Sequence, residues 1–471
     1  MKRINLFLGL SFSGYMLYAI VSWLLLFRDS WTVEVITTKF YPEFSAQINR
    51  LAEILAGWKL NTVPTVLFGL VIIFLFGLYF SILKQKLSLR TVILASLAFQ
   101  IIILFSYPAL STDVLSYILS DRVAVVYHRN VWTTKPNEFK NDPYYYLVYP
   151  IYPTTDWTNQ TRIYGGTNQA VYSLATAVSG NDFAVNLLSH KLVVFAFNLG
   201  TIFLVWLILS RFFPKELVSG MKMVFLNPLF IIETVGSGHN DILMIFFMLL
   251  AYFFVLSRKF WLSGLALALS TQVKSTSLLF AVVLGGYLLG QKRIKDLAVF
   301  GLFYGLTVLG IYYLMGINIF SVVRRTAYST SVYWQSLPML VNKFLPSAKI
   351  LLTAGLGVFL LWQMYKTVIK KENPLKIYVE ILLVYLLFFL NAYWNWYPIW
   401  ILTLLPFIPD NRLQKVILAF TLTSLLGYVT FWLSLRFDYQ LFIWPVIMYL
   451  TILSGPAAVF LYDRYFKKIP D

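Results

Sequence analysis

Two short polar clusters lie at the ends of apolar stretches, and their residue types could carry out acid–base chemistry. In the first cluster, Asp113 follows Ser111 and Thr112 directly after an apolar run. Either hydroxyl residue could cap a short helix, and a carboxylate in the first turn of that helix would be stabilising without any further role. Alternatively, Asp113 is a general base that takes a proton from an alcohol at the membrane–water boundary.

The second cluster combines a histidine, an amide and two carboxylates with two glycines: Glu233, Gly236, Gly238, His239, Asn240 and Asp241. Glycine allows the backbone to turn sharply or to approach a ligand closely. A satisfied buried histidine and an N-capping Asp241 would explain part of the cluster by stability alone. Ionisable residues in a membrane cost roughly 2.5–3.5 kcal/mol each, however, so they generally mark a reaction centre or a pathway.

The sequence gives little support for a metal site. It contains three histidines and no cysteine, so zinc would need ligation mainly by carboxylates. No spacing of carboxylates in the sequence indicates such a site. An oxygen-ligated magnesium site made of Asp113, Glu233 and Asp241 stays open. We therefore expect no cofactor and no dedicated metal ligands, with a divalent metal as the alternative.

Cations and aromatic residues occur in the segments expected to surround the polar clusters. The cations are Arg122, Arg129, Lys274, Arg324 and Arg325. Positive charge would stabilise a leaving group such as phosphate, although the arginine pair at 324–325 could equally contact lipid head groups. Trp396 and Tyr397 fit an interfacial aromatic belt, and aromatic rings beside an asparagine can also hold sugars.

The elements that must position these residues are membrane helices. The chain is 59% hydrophobic and 12% charged, and apolar runs of about 20 residues recur along its 471 residues. The net charge of +18 comes from small basic clusters between those runs, which indicates topology signals and no nucleic-acid partner. We predict an all-α, polytopic integral membrane protein with about 13–14 transmembrane helices in a single domain, residues 1–471.

The candidate spans are apolar segments with positive charge on alternate connections. They cover 5–27, 62–83, 91–110, 184–210, 222–236, 240–257, 261–273, 276–290, 297–315, 349–366, 376–393, 396–409, 415–434 and 440–462. This pattern puts both termini in the cytoplasm. It also requires that 261–290 form a hairpin of two short spans, with Lys274 near its apex and level with His239 to Asp241.

Four connections fall on the extracytoplasmic side, where we expect the active site: 28–61, 111–183, 316–348 and 434–440, the last with Arg436 and Asp438. Segment 28–61 carries apolar residues at helical spacing and predicts an interfacial amphipathic helix. Segment 111–183 is a long loop, rich in Tyr, Asn, Thr and Pro, in which we expect short helices and the candidate base Asp113. Segment 316–348 contains Arg324 and Arg325.

Several motifs together resemble those of a known family. In chain order they are Asp113 to Tyr117, Asp142-Pro143-Tyr144, Tyr164-Gly165, Asn227-Pro228-Leu229, His239-Asn240-Asp241 with Met244, Val273-Lys274, and Trp396 to Trp400. Over residues 90–410 their order and topology resemble the polyprenol-phosphate-mannose-dependent mannosyltransferases of the multi-spanning GT-C superfamily. The block from Asn227 to Asp241 is the most specific part of this resemblance.

The resemblance implies that a hexose, in this family mannose, moves from a polyprenyl-phosphate donor to a lipid-linked or glycan acceptor. Transfer would occur with inversion, without a required metal, on the outer face of a prokaryotic plasma membrane, surrounded by membrane lipids. Asp113 would be the base, and Lys274 with Arg324 or Arg325 would hold the departing phosphate. The remaining expected substrate-binding residues are Tyr117, Arg122, Tyr144, Glu233, His239, Asn240, Asp241, Trp396 and Tyr397.

Two alternative functions use the same polar residues. A transporter or flippase of a lipid-linked sugar would use them as a permeation pathway. An oligosaccharide ligase or a lipid-phosphate transferase would share the fold and the outward-facing site. A ligase would release polyprenyl diphosphate, whereas a simple glycosyltransferase would release the monophosphate.

Overall fold

A computed structural model describes residues 2–27, 30–56, 63–148, 157–320, 332–436 and 443–465. Throughout these ranges the regular structure is helical, and the only β-type pairing is an isolated bridge between Trp334 and Ala392. The predicted all-α class is confirmed.

The N-terminal part supplies the first bundle helices and the short helices of segment 111–183, called the polar segment below. These are α1 (Lys2–Leu26), α2 (Ser30–Val35), α3 (Ser45–Ala56), α4 (Val63–Leu83), α5 (Leu89–Leu104), α6 (Asp113–Val125), α7 (Tyr145–Val148) and α8 (Gly166–Ser179). Helix α3 matches the amphipathic helix expected within 28–61. Helices α6 to α8 are the short helices expected within 111–183.

The middle of the chain contains the longest helix and several interrupted ones. They are α9 (Phe183–Phe212), α10 (Leu217–Phe225), α11 (Pro228–Ile231), a π-helical turn (Ile232–Gly236), α12 (Asp241–Leu256), α13 (Phe260–Thr271), α14 (Leu278–Gly290) and α15 (Ile294–Met315). Asp182 caps α9 by accepting a hydrogen bond from the Val185 amide at 2.8 Å. Helices α13 and α14 are two separate short helices within 261–290, where the hairpin is expected, and Lys274 lies between them.

The C-terminal part completes the bundle. Its helices are α16 (Leu337–Phe344), α17 (Lys349–Val368), α18 (Pro374–Val384), α19 (Ile399–Leu402), α20 (Asn411–Arg436) and α21 (Ile443–Tyr465). A π-helical turn, Tyr385–Phe389, extends α18. Asn373 caps α18 by accepting from the Leu375 amide, with Pro374 at the first helical position.

The helices support a polytopic membrane protein. Seven described helices are long and apolar enough to cross a bilayer, or eight with a pair bent by 58°, Pro214–Phe225 and Pro228–Gly236. Four further apolar helices are shorter: Leu89–Leu104, Asp241–Leu256, Phe260–Thr271 and Ser275–Gly290. Short and broken helices are tolerated at membrane depth where protein surrounds them.

Two of the predicted spans are interrupted in the structure. The span expected over 222–236 breaks at Asn227, whose side chain accepts from the Leu229 amide and so starts a new helix at Pro228. The span expected over 396–409 is a chain of short turns, because Pro398 and Pro406 cannot donate the backbone hydrogen bonds of a long helix. These residues are apolar because they are buried in the bundle.

The interrupted helices form the centre of the bundle, and two long helices lie at its edge. Residues from Leu229 to Ile245 are fully or almost fully buried. By contrast, only 6% of the apolar window of α15, and 6% of that of the Pro346–Val368 helix, is buried inside the protein. The polar clusters therefore sit in the interior, while α15 and α17 are free to face lipid.

Candidate active site

The polar side chains meet where helices begin or end. Asp113 is the first residue of α6, and His239 and Asn240 immediately precede α12. Lys274 lies in the short break between α13 and α14. Gly238 has a φ of +74°, a left-handed conformation that side-chain-bearing residues rarely adopt, and this turn orients His239 and Asn240.

Asp113 is the most accessible carboxylate of the cluster, with 24% of its side chain exposed. The Tyr117 hydroxyl, one helical turn further along α6, lies 3.1 Å from Asp113 Oδ2. The same hydroxyl lies 3.3 Å from Tyr164 Oη and 3.3 Å from Asn240 Oδ1. A phenol has only one proton to donate, and Asp113 is its nearest acceptor.

The two tyrosines beside Asp113 are donors and not bases. Burial raises the pKa of Tyr117 well above its ordinary value, and the negative charge of Asp113 raises it further. Burial, followed by the charge of Asp113, likewise raises the pKa of Tyr164. Both residues lie outside the candidate membrane spans. At neutral pH these phenols stay protonated, and Asp113 is the accessible carboxylate beside them.

His239 is enclosed and faces two carboxylates. Its Nε2 atom lies 3.4 Å from Glu233 Oε2, and its Nδ1 atom lies 3.8 Å from Asp113 Oδ2. The imidazole stacks on Trp396, with ring centroids 3.8 Å apart. Ser237 Oγ donates to Glu233 Oε2 at 2.8 Å. His239 and Glu233 are completely buried, whereas Asp113 is partly exposed.

Lys274 and Asp241 form a buried ion pair. Lys274 Nζ donates to Asp241 Oδ2 at 2.7 Å, and Trp400 Nε1 donates to the other carboxylate oxygen at 2.5 Å. The ammonium group also lies 5.6 Å from the ring centre of Tyr164, 5.7 Å from that of Tyr397 and 5.9 Å from that of Trp400. This aromatic cage and one carboxylate hold the ammonium group while leaving two of its three N–H donors for a ligand.

Helix α8 closes the site from another side. Asn240 Nδ2 donates to Asn168 Oδ1 at 2.8 Å, and the Gly166 amide donates to Gln272 Oε1 at 3.4 Å. A Cβ atom on Gly165 would lie only 2.6 Å from the Gln272 carbonyl oxygen, so the close approach requires glycine. Through these contacts the break between α13 and α14 is joined to Asn240 and, through Tyr117, to Asp113.

Most of the predicted site residues are brought together. The structure gathers Asp113, Tyr117, Glu233, His239, Asn240, Asp241, Lys274, Trp396 and Tyr397 into one connected cluster. Arg324 and Arg325 lie outside the described residues. No group of three or more His, Asp or Glu side chains in the described ranges is arranged to hold a metal ion, and this includes Asp113, Glu233 and Asp241, the alternative that the sequence left open.

Arg122 and Tyr144, also predicted to bind substrate, belong to a different cluster. Arg122 Nε donates to Asp142 Oδ2 at 2.7 Å, and its other nitrogens donate to Gly180 O and Asn181 Oδ1. The guanidinium lies 5.0 Å from the Tyr144 ring centre. With 2% of Arg122 exposed, these contacts join the polar segment to the start of α9.

A second buried ion pair strengthens the same segment. Arg162 Nη1 donates to Asp121 Oδ1 at 2.7 Å, and His190 Nε2 lies 3.4 Å from the other oxygen of Asp121. Asp121 and Arg122 are neighbours on α6, so this helix is fixed on both sides by ion pairs. The consequence for the site is that Asp113, at the start of α6, has a rigid support.

The sequence did not indicate three residues that complete the cluster. Asn168 contacts Asn240, Gln272 packs on Gly165, and Ser237 donates to Glu233. Asn168 stands in the first turn of a helix, where an asparagine is ordinary, and it lies 72 positions from its partner. Only the contact of Ser237 could have been predicted from local sequence, because residues four positions apart, such as Glu233 and Ser237, face each other on a helix.

Comparison with known protein families identifies the chain. Residues 19–291, more than half of the 471, match the model of the MptA_B family, described as alpha-(1->6)-mannopyranosyltransferase, N-terminal domain. The match includes Asp113, the segment from Glu233 to Asp241, and Lys274, whereas Trp396 to Trp400 lie beyond it. No curated protein and no solved structure matches the chain. The chain belongs to this family of mannosyltransferases, and its long apolar helices support a membrane protein.

Proposed function

We propose that the protein transfers mannose from a polyprenyl-phosphate donor to a hydroxyl group of a lipid-linked or glycan acceptor, with Asp113 as general base. The observation that carries this proposal is that Tyr164 lies between the partner of Asp113 and Lys274. The Tyr164 hydroxyl touches the Tyr117 hydroxyl that binds Asp113, and its ring faces Lys274. A base and a cation that both lie near one side chain suit attack at a sugar carbon and departure of a phosphate.

In the proposed reaction the acceptor hydroxyl oxygen attacks C1 of mannose as its proton passes to Asp113. The bond between C1 and the phosphate oxygen breaks, and its electron pair leaves with the polyprenyl phosphate. The two free N–H donors of Lys274 would hold this phosphate, while Asp241 and Trp400 fix the lysine. A single displacement inverts C1, so the α-linkage in the family's name calls for a β-linked donor. That name also favours the 6-hydroxyl of a mannose as acceptor.

We propose that this reaction requires no metal. The positive charge that a departing phosphate needs is available from Lys274, which already lies in the cluster. The expected result is that a chelator such as EDTA leaves transfer unchanged. Loss of activity on chelation that returns with magnesium would show that a divalent ion takes part.

We propose further that the site faces outward and that both termini are cytoplasmic. Helices α5, α9, α12, α13 and α14 each have one end near the polar cluster or the segment before α9. Their other ends adjoin basic residues: Arg90, Arg211, Arg258, Lys259 and Lys292. Since Lys and Arg concentrate in cytoplasmic connections, the cluster lies at the extracytoplasmic end.

The sidedness can be measured directly because the chain contains no cysteine. Lys140→Cys, an exposed position of the polar segment, should react with a membrane-impermeant maleimide in intact cells. Lys215→Cys, an exposed position between α9 and α10, is the matched control and should react only after permeabilisation. The reverse pattern would place the site in the cytoplasm.

The donor class is tested with purified protein in lipid vesicles. With polyprenyl-phosphate mannose and a mannose-containing acceptor, we expect acceptor-dependent release of polyprenyl monophosphate. A diphosphate-linked donor should give no product, and neither should a nucleotide-linked mannose. Product from the diphosphate donor would support the ligase alternative, whereas sugar-lipid movement across the vesicle without any product would support transport.

A further inference from the structure

Glu233, His239 and Asp113 form a line that leads from the buried centre of the bundle to the accessible edge of the site. The two imidazole nitrogens face different carboxylates, Nε2 toward Glu233 at 3.4 Å and Nδ1 toward Asp113 at 3.8 Å. The sequence suggests that His239 positions substrate hydroxyls. Its ring has no exposed surface and is surrounded by Trp396 and two carboxylates.

The backbone holds this line in place. Glu233 lies in the π-helical turn Ile232–Gly236. Such turns are rare in proteins overall, and those that occur are often found at functional sites. Ser237 Oγ donates to Glu233 Oε2, which fixes that oxygen as an acceptor. Glu233 Oε1 and both imidazole nitrogens have no hydrogen-bond partner within the described ranges, and burying such groups is costly unless charge pairing or function compensates.

The protonation state of His239 follows from what faces it. A neutral imidazole has one bare nitrogen, so one of its two carboxylate neighbours would face a lone pair. An imidazolium presents an N–H group to both carboxylates and lies between two negative charges. Asp113, partly exposed, is then the carboxylate whose ionised form the imidazolium favours.

Other charged groups nearby are already engaged. Lys191 donates to the Ile103 and Ser106 carbonyl oxygens, and Lys274 is paired with Asp241. Tyr18 and Tyr393 lie close enough to Glu233 to interact electrostatically with its carboxylate. Asp113 otherwise faces the Tyr117 hydroxyl. In the described part of the chain, His239 is thus the basic side chain placed directly beside Asp113.

We propose that His239, protonated on both ring nitrogens and held by Glu233 and Trp396, keeps Asp113 ionised and ready to accept a proton. His239 is a positioning residue, since it acts through Asp113 and does not touch substrate. This inference rests on the proposed function, in which Asp113 is the base. Glu233 offsets the positive charge that would otherwise be buried alone.

The first test is the pH dependence of kcat/KM for mannosyl transfer. In His239→Gln the acid limb of the profile should move up by about 1–3 pH units, the size expected when a carboxylate loses an adjacent cation. Glu233→Gln should move it in the same direction, because the imidazolium loses its counter-charge. Glu138→Gln, the matched control, makes the same carboxylate-to-amide change at an exposed position away from the three groups and should keep the acid limb. An unchanged limb in His239→Gln would overturn the inference.

The second test uses the native protein and therefore does not depend on the folding of a variant. The chain has only three histidines, so ¹⁵N labelling of histidine gives few ring signals, and His239→Gln identifies one of them. At the pH of maximal activity we expect the His239 signals of an imidazolium. Signals of a neutral tautomer would contradict the proposal. If the native protein transferred no mannose at all, the proposed function would fail instead, while an imidazolium at His239 would still be observable.

Discussion

Replacement of Asp113 by asparagine is expected to lower acceptor-dependent mannosyl transfer by about 10²–10⁴-fold, the usual contribution of a general base. Asparagine is nearly isosteric and can still accept a hydrogen bond from Tyr117, so the cluster should keep its geometry. It cannot take the acceptor proton. The expected loss is therefore in kcat, with little change in the KM for the donor.

The matched control is Glu138→Gln, which makes the same chemical change in an exposed carboxylate of the same polar segment. This variant should retain the native rate. The measurement is initial-rate transfer by both variants in lipid vesicles, with thermal unfolding of each as a folding check. An Asp113→Asn variant that is folded and transfers at the native rate would move the base to another residue.

Replacement of Lys274 by methionine is expected to have two separable effects. It leaves the Asp241 carboxylate buried without its cation, and breaking a buried ion pair typically costs about 3–5 kcal/mol. It also removes the N–H donors that we assign to the departing phosphate. The single variant should therefore melt at a lower temperature and transfer little mannose.

The double variant Lys274→Met with Asp241→Asn separates these two effects. It removes both charges, so most of the lost thermal stability should return, while transfer should stay low because no cation faces the phosphate. Asp241→Asn alone is the control for activity, because it breaks the same ion pair but keeps the lysine. If the double variant recovered both stability and activity, Lys274 would have only a structural role.

Many residues of the site were predictable from the sequence, because ionisable side chains are uncommon next to membrane-spanning segments. Polar residues such as Asp113, His239 and Lys274 stand at the ends of apolar stretches, where ionisable groups are expensive. The alternation of basic connections also predicted that Lys274 lies level with Asp241. Their actual bond, 33 positions apart in the chain, matches that expectation and changes the role of Asp241 to holding the lysine.

The partners of the polar groups were not predictable from local sequence. Arg122 and Tyr144 read as ligand-binding residues in a polar segment, yet Arg122 pairs with Asp142 in the interior of that segment. Whether a cation meets an anion of the protein or of a ligand depends on tertiary contacts, which spacing does not encode. The same holds for His239, whose contact with Glu233 depends on a π-helical turn.

Hydropathy also failed to resolve broken helices. An apolar window cannot distinguish a lipid-exposed span from an irregular segment that is buried among other helices. Segment 396–409 is such a case: its Trp and Pro residues form short turns beside His239 and Lys274. Proline positions were the signal that could have corrected this prediction.

The most direct test of the central claim is the configuration at C1 of the product. Polyprenyl-phosphate β-mannose labelled with ¹³C at C1 would be supplied to the native protein in lipid vesicles, and the glycan product would be examined by NMR. A single displacement with Asp113 as base predicts an α-linked mannose and unlinked polyprenyl monophosphate. A β-linked product would mean retention at C1, and it would contradict the mechanism in which Asp113 acts as a base in one inverting step.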